Sequence, residues 1–407
     1  MLKTHLKVFS VVFFYQLFTL MFYFFGLIDW GGGDDFLLLL FVATNISFIL
    51  LGGVIGYFSP IHEFESKIKF RTPNYVVLIL ILFSIAYIEI SAIHFTGKST
   101  TNIFSNLDLK KNYIDSHYHS ADGSNSYNGI IVLLTPFFWG ALYIFPREFE
   151  KRNLINISFY LFMFAIYFAF FMLKGGDREL FLILLFLFSS FFVNNMANFK
   201  ISFKYILVAV FFILVVYFNK SSRYSDYQCV ESYCTKNVVS GDIEQLLFML
   251  NSYLTQGYKG LQVALASNAI VSWSCPAISP MVQSWSSALI ANCEQVNPYI
   301  EKINESGQWH TMGRWNSSYV WWANNFSFYF VPFINLFHSV LFSFSLKRVS
   351  KGDSSFLSYV FITLSLVYYI FLPMNNQVFL SLPTAFWFII SGGWMFYLYI
   401  VCITKSR

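Results

Sequence analysis

Ten mainly apolar stretches, each close to the length a helix needs to cross a bilayer, leave this chain little choice of architecture. A hydrocarbon core is about 30 Å thick, so a spanning helix needs roughly 20 predominantly apolar residues. Segments 8–28, 36–58, 75–95, 128–145, 154–173, 180–196, 202–218, 326–346, 356–373 and 378–403 meet that description. Hydrophobic residues make up 57% of the chain and charged residues only 12%, with a mean hydropathy of +0.57. That balance excludes a soluble domain and predicts an all-α, polytopic membrane protein. The chain divides into spans one to seven (1–218), a long polar loop (219–318) and spans eight to ten (319–407).

Basic residues resist translocation, and short loops obey this bias best. With the N-terminus inside, the inward segments collect Lys3, Lys7, Lys67, Lys69, Arg71, Arg147, Lys151, Arg152, Lys200, Lys204, Lys347, Arg348, Lys351, Lys405 and Arg407. Outside the long loop, the opposite face holds only Lys98, Lys110, Lys111, Lys174 and Arg178. Both termini are therefore expected in the cytoplasm and the long loop outside. The first span has no A-x-A-like cleavage site and too long an apolar run for a signal peptide, so it reads as a retained anchor. The net charge of +5 comes mainly from cytoplasmic loops facing anionic lipid, so it argues for membrane lipid and not for nucleic acid.

Four of the five cysteines lie in the long loop. An outer compartment permits disulfides, and Cys229 with Cys234 and Cys275 with Cys293 is the simplest of three pairings. A zinc site is the rival reading, but the spacings of five and eighteen lack the C-x-x-C knuckles such sites use, and no metal is expected. Cys402, inside the last span, reads as an apolar filler. Within the loop, Leu246, Met249, Leu250, Tyr253 and Leu254 recur at helical spacing, and Asp242 and Glu244 suit a helix N-terminus. The loop reads as a small cap with at least one helix.

Chemistry is sought at the outer ends of the spans, because charges near lipid are costly and persist there for a purpose. KGGDREL (Lys174, Gly175, Gly176, Asp177, Arg178, Glu179, Leu180) reads as a tight hairpin. It places Arg178 at a helix N-terminus, where guanidinium and dipole together suit a diphosphate; the plainer alternative is that Arg178 snorkels or pairs with Asp177 or Glu179. NKSSRYSDY offers Arg223 as a second phosphate clamp and Asp226 as a proton acceptor, or two rim charges. WHTMGRWNSSYVWWANNFSF carries Trp309, His310, Arg314 and Trp315, whose aromatic faces suit sugar rings or an ordinary interfacial belt. Glu89 is a base candidate or a snorkelling carboxylate. His338 reads as a bond to a neighbouring helix. LPMNNQVF offers the amides of Asn375, Asn376 and Gln377 to hydroxyls, or simply turns the chain.

In GGDREL, YLTQGYKGLQVAL, WHTMGRWNSSYVWWANNFSF and LPMNNQVF, taken in this order from Lys174 onward, the chain resembles the O-antigen polymerases, membrane glycosyltransferases that assemble lipopolysaccharide side chains. It departs from the family at Asn325, where an Asp is usual, and in having slightly fewer spans than many members. The resemblance implies a GT-C-like fold in a bacterial inner membrane with the active site facing the periplasm. It implies undecaprenyl diphosphate-linked oligosaccharides as substrates, the growing glycan passing to the non-reducing end of a new unit. It also implies no metal or other cofactor, a chain-length regulator as partner, and Tyr258 among the substrate contacts. Arg178 would then stabilise the leaving diphosphate, with Arg223 and Arg314 in support, and Glu89, Asp226 or His310 would deprotonate the acceptor. An O-antigen ligase shares the lipid donor and large loop. A lipid-linked oligosaccharide flippase is the alternative of another class, although the internal repeats and broken helices expected of a transporter are not evident in the sequence.

Overall fold

The computed structural model describes residues 2–61, 73–105, 111–112, 127–175, 177–194, 229–230, 232–236, 241–267, 278–279, 282, 286, 298–310, 316–353 and 355–405. Eleven helices are named among them: α1 Leu2–Phe25, α2 Asp35–Phe58, α3 Asn74–Thr96, α4 Asn128–Glu150, α5 Leu154–Lys174, α6 Asp177–Asn194, α7 Asp242–Leu265, α8 Pro298–Glu305, α9 Ser318–Ser350, α10 Phe356–Phe371 and α11 Leu382–Lys405. A two-stranded hairpin joins them, β1 Cys229–Val230 and β2 Tyr233–Cys234. Among the described residues, seven helices are long and apolar enough to cross a membrane, and Glu179–Val193 and Phe356–Phe371 are shorter apolar helices. The chain is an all-α polytopic membrane protein. Nine of the ten expected spans thus coincide with apolar helices, and 202–218 lies outside the described residues.

Three of the boundaries that differ from expectation have a visible cause. The first span ends at Phe25, not residue 28, because the chain turns at Gly26 to pair with the hairpin. The eighth begins at Ser318, eight residues early, because polar residues at its start are buried inside the protein instead of facing water. The last begins at Leu382, since Gln377–Phe379 forms a separate 3-10 turn.

The described residues fall into two compact units. In one, α3 packs on α4 and α5, and α4 on α6. Tyr87, Phe138 and Tyr167 stack in sequence, with centroids 5.0 and 5.3 Å apart, and tie three helices together. Glu148, buried at the end of α4, is balanced by Lys151 at 2.5 Å and the Asn156 amide at 2.6 Å, as a carboxylate out of water must be.

The other unit contains α1, α2, the hairpin, α7, α8, α9 and α11. Here α2 and α9 are laced at four levels. Asn335 Nδ2 donates to Asn45 Oδ1 at 2.7 Å, the Ser339 and Ser343 hydroxyls donate to the Ile49 and Gly53 carbonyls, and Lys347 Nζ donates to the Ser59 carbonyl at 2.6 Å. The partners advance together along both helices, so α2 and α9 run in the same direction. Small and polar contacts of this kind hold helices together where lipid removes the hydrophobic drive. His338 bonds the Ser365 hydroxyl through Nε2 at 3.0 Å, the inter-helix role read from sequence.

Candidate functional site

The cap helix α7 forms at the positions its apolar spacing predicts, with Gly241 as N-cap. Its stripe toward α1 is polar: Asn251, Thr255, Tyr258 and Gln262, spaced four, three and four residues apart. Asn251 Nδ2 donates to the Phe22 carbonyl and its Oδ1 accepts from Ile28 N–H, both at 2.9 Å, so one side chain satisfies the backbone on both sides of the chain reversal after α1. Thr255 accepts from Trp30 Nε1 at 3.1 Å, and the Tyr258 hydroxyl lies 3.0 Å from that of Thr19. Asn251→Leu keeps the size of the side chain, strands the buried Ile28 N–H and leaves the Phe22 carbonyl with its Gly26 N–H bond alone. It should cost about 1–3 kcal/mol, read as a lower thermal midpoint in detergent; an unchanged midpoint would show that the reversal does not depend on this residue.

Two glycines let α7 approach its neighbours. A Cβ on Gly257 would stand 2.3 Å from the Pro373 carbonyl oxygen and 2.6 Å from that of Met374. A Cβ on Gly260 would stand 2.7 Å from Asn316 Oδ1 and 3.1 Å from Trp309 Nε1. The helix of the YLTQGYKGLQVAL motif therefore touches the LPMNNQVF turn through one glycine and the WHTMGRWNSSY segment through the other. Segments separated by up to about 120 residues of sequence meet on one helical turn. Ser318 closes the circle, its N–H donating to the Leu372 carbonyl and its hydroxyl to the Asn375 carbonyl, both at 3.0 Å.

Between the glycines, Lys259 is buried, with Nζ 2.9 Å from Gln262 Oε1, 3.3 Å from the Gly32 carbonyl and 5.0 Å from the centre of the Tyr233 ring. Gln262 in turn donates to Asp35 at 2.7 Å. Burial pushes the Lys259 ammonium below the usual lysine range, and the charges of Asp35 and Asp29 pull it part of the way back. The unfolded chain then holds this proton more tightly than the fold, so stability rises as pH climbs toward the ordinary lysine value. The thermal midpoint should rise as pH climbs toward the ordinary lysine value, and Lys259→Met should flatten that rise. A rise of the same size in the variant would assign it to other groups.

Trp30, Trp309 and Tyr233 form an aromatic wall beside this lysine, their centroids 5.8–6.1 Å apart. The hairpin that carries Tyr233 is closed by a Cys229–Cys234 disulfide and extends onto the chain after α1, with Asp29 N–H donating to the Cys234 carbonyl and Lys236 N–H to that of Leu27. That pair is the one expected from sequence.

The other sequence-derived candidates are placed as follows. Trp309 is buried and His310 beside it is exposed. Asn375, Asn376 and Gln377 are buried, and the Asn376 amide donates to the Ile278 carbonyl at 2.5 Å. In the other unit, Glu89 accepts from Thr100, at 3.2 Å from N–H and 2.6 Å from the hydroxyl, and so holds the 3-10 turn that follows α3. Gly175 ends α5 in the left-handed conformation. Lys174 is paired with Glu179 and sits 3.8 Å over the Phe95 ring, so its charge is already met by a carboxylate. Arg178 stands in the first turn of α6; its side chain and that of Asp177 lie outside the described residues, as do Gly176, Arg223, Asp226, Cys275, Cys293, Arg314 and Trp315. Among the described residues no group of His, Cys, Asp and Glu is arranged to hold a metal ion.

Lys259, Asn251, Gln262, Trp30 and Asn316 were not singled out by sequence. A lysine and several amides on a cap helix resemble a solvated face, and only the glycine-rich DWGGGDD before α2 hints at close approach. No protein-family model, curated protein or solved structure matches this chain.

Proposed function

We propose that this chain is an O-antigen polymerase of the bacterial inner membrane, transferring a growing glycan from undecaprenyl diphosphate to the non-reducing end of a new lipid-linked unit. The observation that carries the reading is the meeting of three motifs of that family's pattern on one turn of α7, at Gly257 and Gly260. Distant segments that merely filled loops would have no reason to pack as one body.

In this reading the acceptor hydroxyl attacks the anomeric carbon, the bond from that carbon to the diphosphate oxygen breaks, and undecaprenyl diphosphate leaves. Arg178, with Arg223 and Arg314, meets the charge that develops on the leaving group. A base takes the hydroxyl proton as the bond forms. Among the three base candidates, Glu89 accepts two bonds from Thr100, and His310 is exposed and next in sequence to Trp309 of the aromatic wall. The parallel course of α2 and α9 supports a periplasmic cap. Their shared starting end carries the cap, and their other end carries Lys347 and Arg348, the basic residues that favour the cytoplasm.

A lipopolysaccharide gel of a deletion strain tests the reading. Collapse of the ladder to core plus one repeat unit, restored by the intact gene, supports it. Loss of every repeat unit from the core would overturn it in favour of a ligase or flippase, and polymer accumulating on its lipid carrier would single out the ligase.

A further inference from the structure

From Gln245 to Tyr258 the cap helix α7 carries no charged residue, although it belongs to the long polar loop. Its second half is core, with residues 255–264 all buried. Its first half is not. Leu247 and Leu250 are 41% and 39% exposed, and Leu246, Tyr253 and Leu254 beside them are half-buried, so roughly two turns of helix present an apolar face to their surroundings. A helix face turned to water carries charged and polar residues instead.

The anchors on α1 set the level at which this face lies. The apolar stretch Val8–Phe25 has 18 residues, which at 1.5 Å each is about 27 Å, close to the thickness of hydrocarbon. Phe25 therefore marks the edge of the bilayer core. Asn251 holds the Phe22 carbonyl on one side of that edge and the Ile28 N–H on the other. The Tyr258 hydroxyl lies 3.0 Å from that of Thr19, farther inside. The helix is thus set at the boundary of the bilayer and not above it. The lipid-facing surface of α1 runs up to the same place. Phe18, Met21 and Phe25, at 53%, 53% and 81% exposure, form one stripe along that span, and Phe22, whose carbonyl Asn251 holds, stacks on Phe18 at 5.4 Å.

We propose that the first half of α7 is an in-plane membrane anchor, its Leu247 and Leu250 face inserted among the acyl chains of the leaflet on the cap side. Amphipathic helices of this kind bury their apolar face roughly 5–10 Å into the boundary between head groups and acyl chains. The anchor goes beyond the polymerase reading and does not depend on it.

A nitroxide on Leu250→Cys, in the full chain in nanodiscs of phosphatidylethanolamine and phosphatidylglycerol, tests it by power saturation, with the signal of wild-type protein taken through the same labelling subtracted. Oxygen should relax the label severalfold more than a water-soluble nickel chelate does, as at Ile390→Cys on the exposed side of α11 and unlike Glu305→Cys on α8. Leu247→Cys is read in the same way if the Leu250 variant fails to fold. A label that favours nickel would place the face in water and overturn the anchor. Dipolar broadening that disappears on dilution with unlabelled protein would give the face to a second copy, and shielding from both reagents would give it to another protein segment; either result also overturns the anchor.

Discussion

Gly257→Val is expected to lower the stability of the unit containing α7 by about 3 kcal/mol or more and, on the proposed polymerase reading, to abolish polymer formation. The β-carbon would lie 2.3 and 2.6 Å from two backbone carbonyl oxygens, those of Pro373 and Met374. Backbone atoms in a turn cannot rotate out of the way as a side chain can, so α7 itself must move. It is anchored on its other face by Asn251, Thr255 and Tyr258, and displacement strains those bonds as well. Even alanine should be harmful, because its helix propensity returns only about 1 kcal/mol over glycine. Gly393→Val, within α11, is the matching control, since a β-carbon there meets nothing within 4 Å. Thermal unfolding of the purified variants, together with a lipopolysaccharide gel, measures both effects. A Gly257→Val protein with a wild-type midpoint would disprove the tight docking of α7 on this turn.

On the proposed polymerase reading, Arg178→Lys should remove most of the polymer ladder, with a loss of about 10²- to 10³-fold in transfer rate. The substitution preserves charge and removes the planar pair of donors that matches a diphosphate. The first turn of α6 carries the positive end of the helix dipole, so the arginine adds its fork to an end already suited to anions. Lys174 cannot replace it, because Glu179 engages that ammonium. Ladder length would be scored against equal amounts of protein in the membrane. Full-length ladder from Arg178→Lys would reduce the residue to a lipid-facing anchor.

Much of the fold is written locally. The span lengths follow from the thickness of hydrocarbon, and α7 follows from apolar residues at helical spacing, so both are legible. The start of α9 is not, because Asn324 counts against a buried helix until its Oδ1 is seen to accept Tyr299 N–H from α8 at 3.1 Å. The polar stripe from Asn251 to Gln262 escapes detection for a related reason. A search for buried faces looks for apolar periodicity, and this face is buried through hydrogen bonds to α1. At the site, the order of the motifs can be read in the chain. Their meeting cannot, since Gly257 and Gly260 acquire meaning only from carbonyls and side chains tens to more than a hundred residues away.

The helix α9 is interrupted at Ser327, where φ is 61° and ψ 154°, a region that residues with a side chain seldom occupy. On one side of this break, Ser318 and Asn324 are tied to the Leu372–Asn375 turn and to α8. On the other side, Asn335, Ser339, Ser343 and Lys347 are tied to α2. A continuous helix would act as a rigid lever, carrying any tilt of the outer segment through the bilayer. With the joint at Ser327, the short outer segment can shift with the cap while the α2–α9 lacing keeps its register.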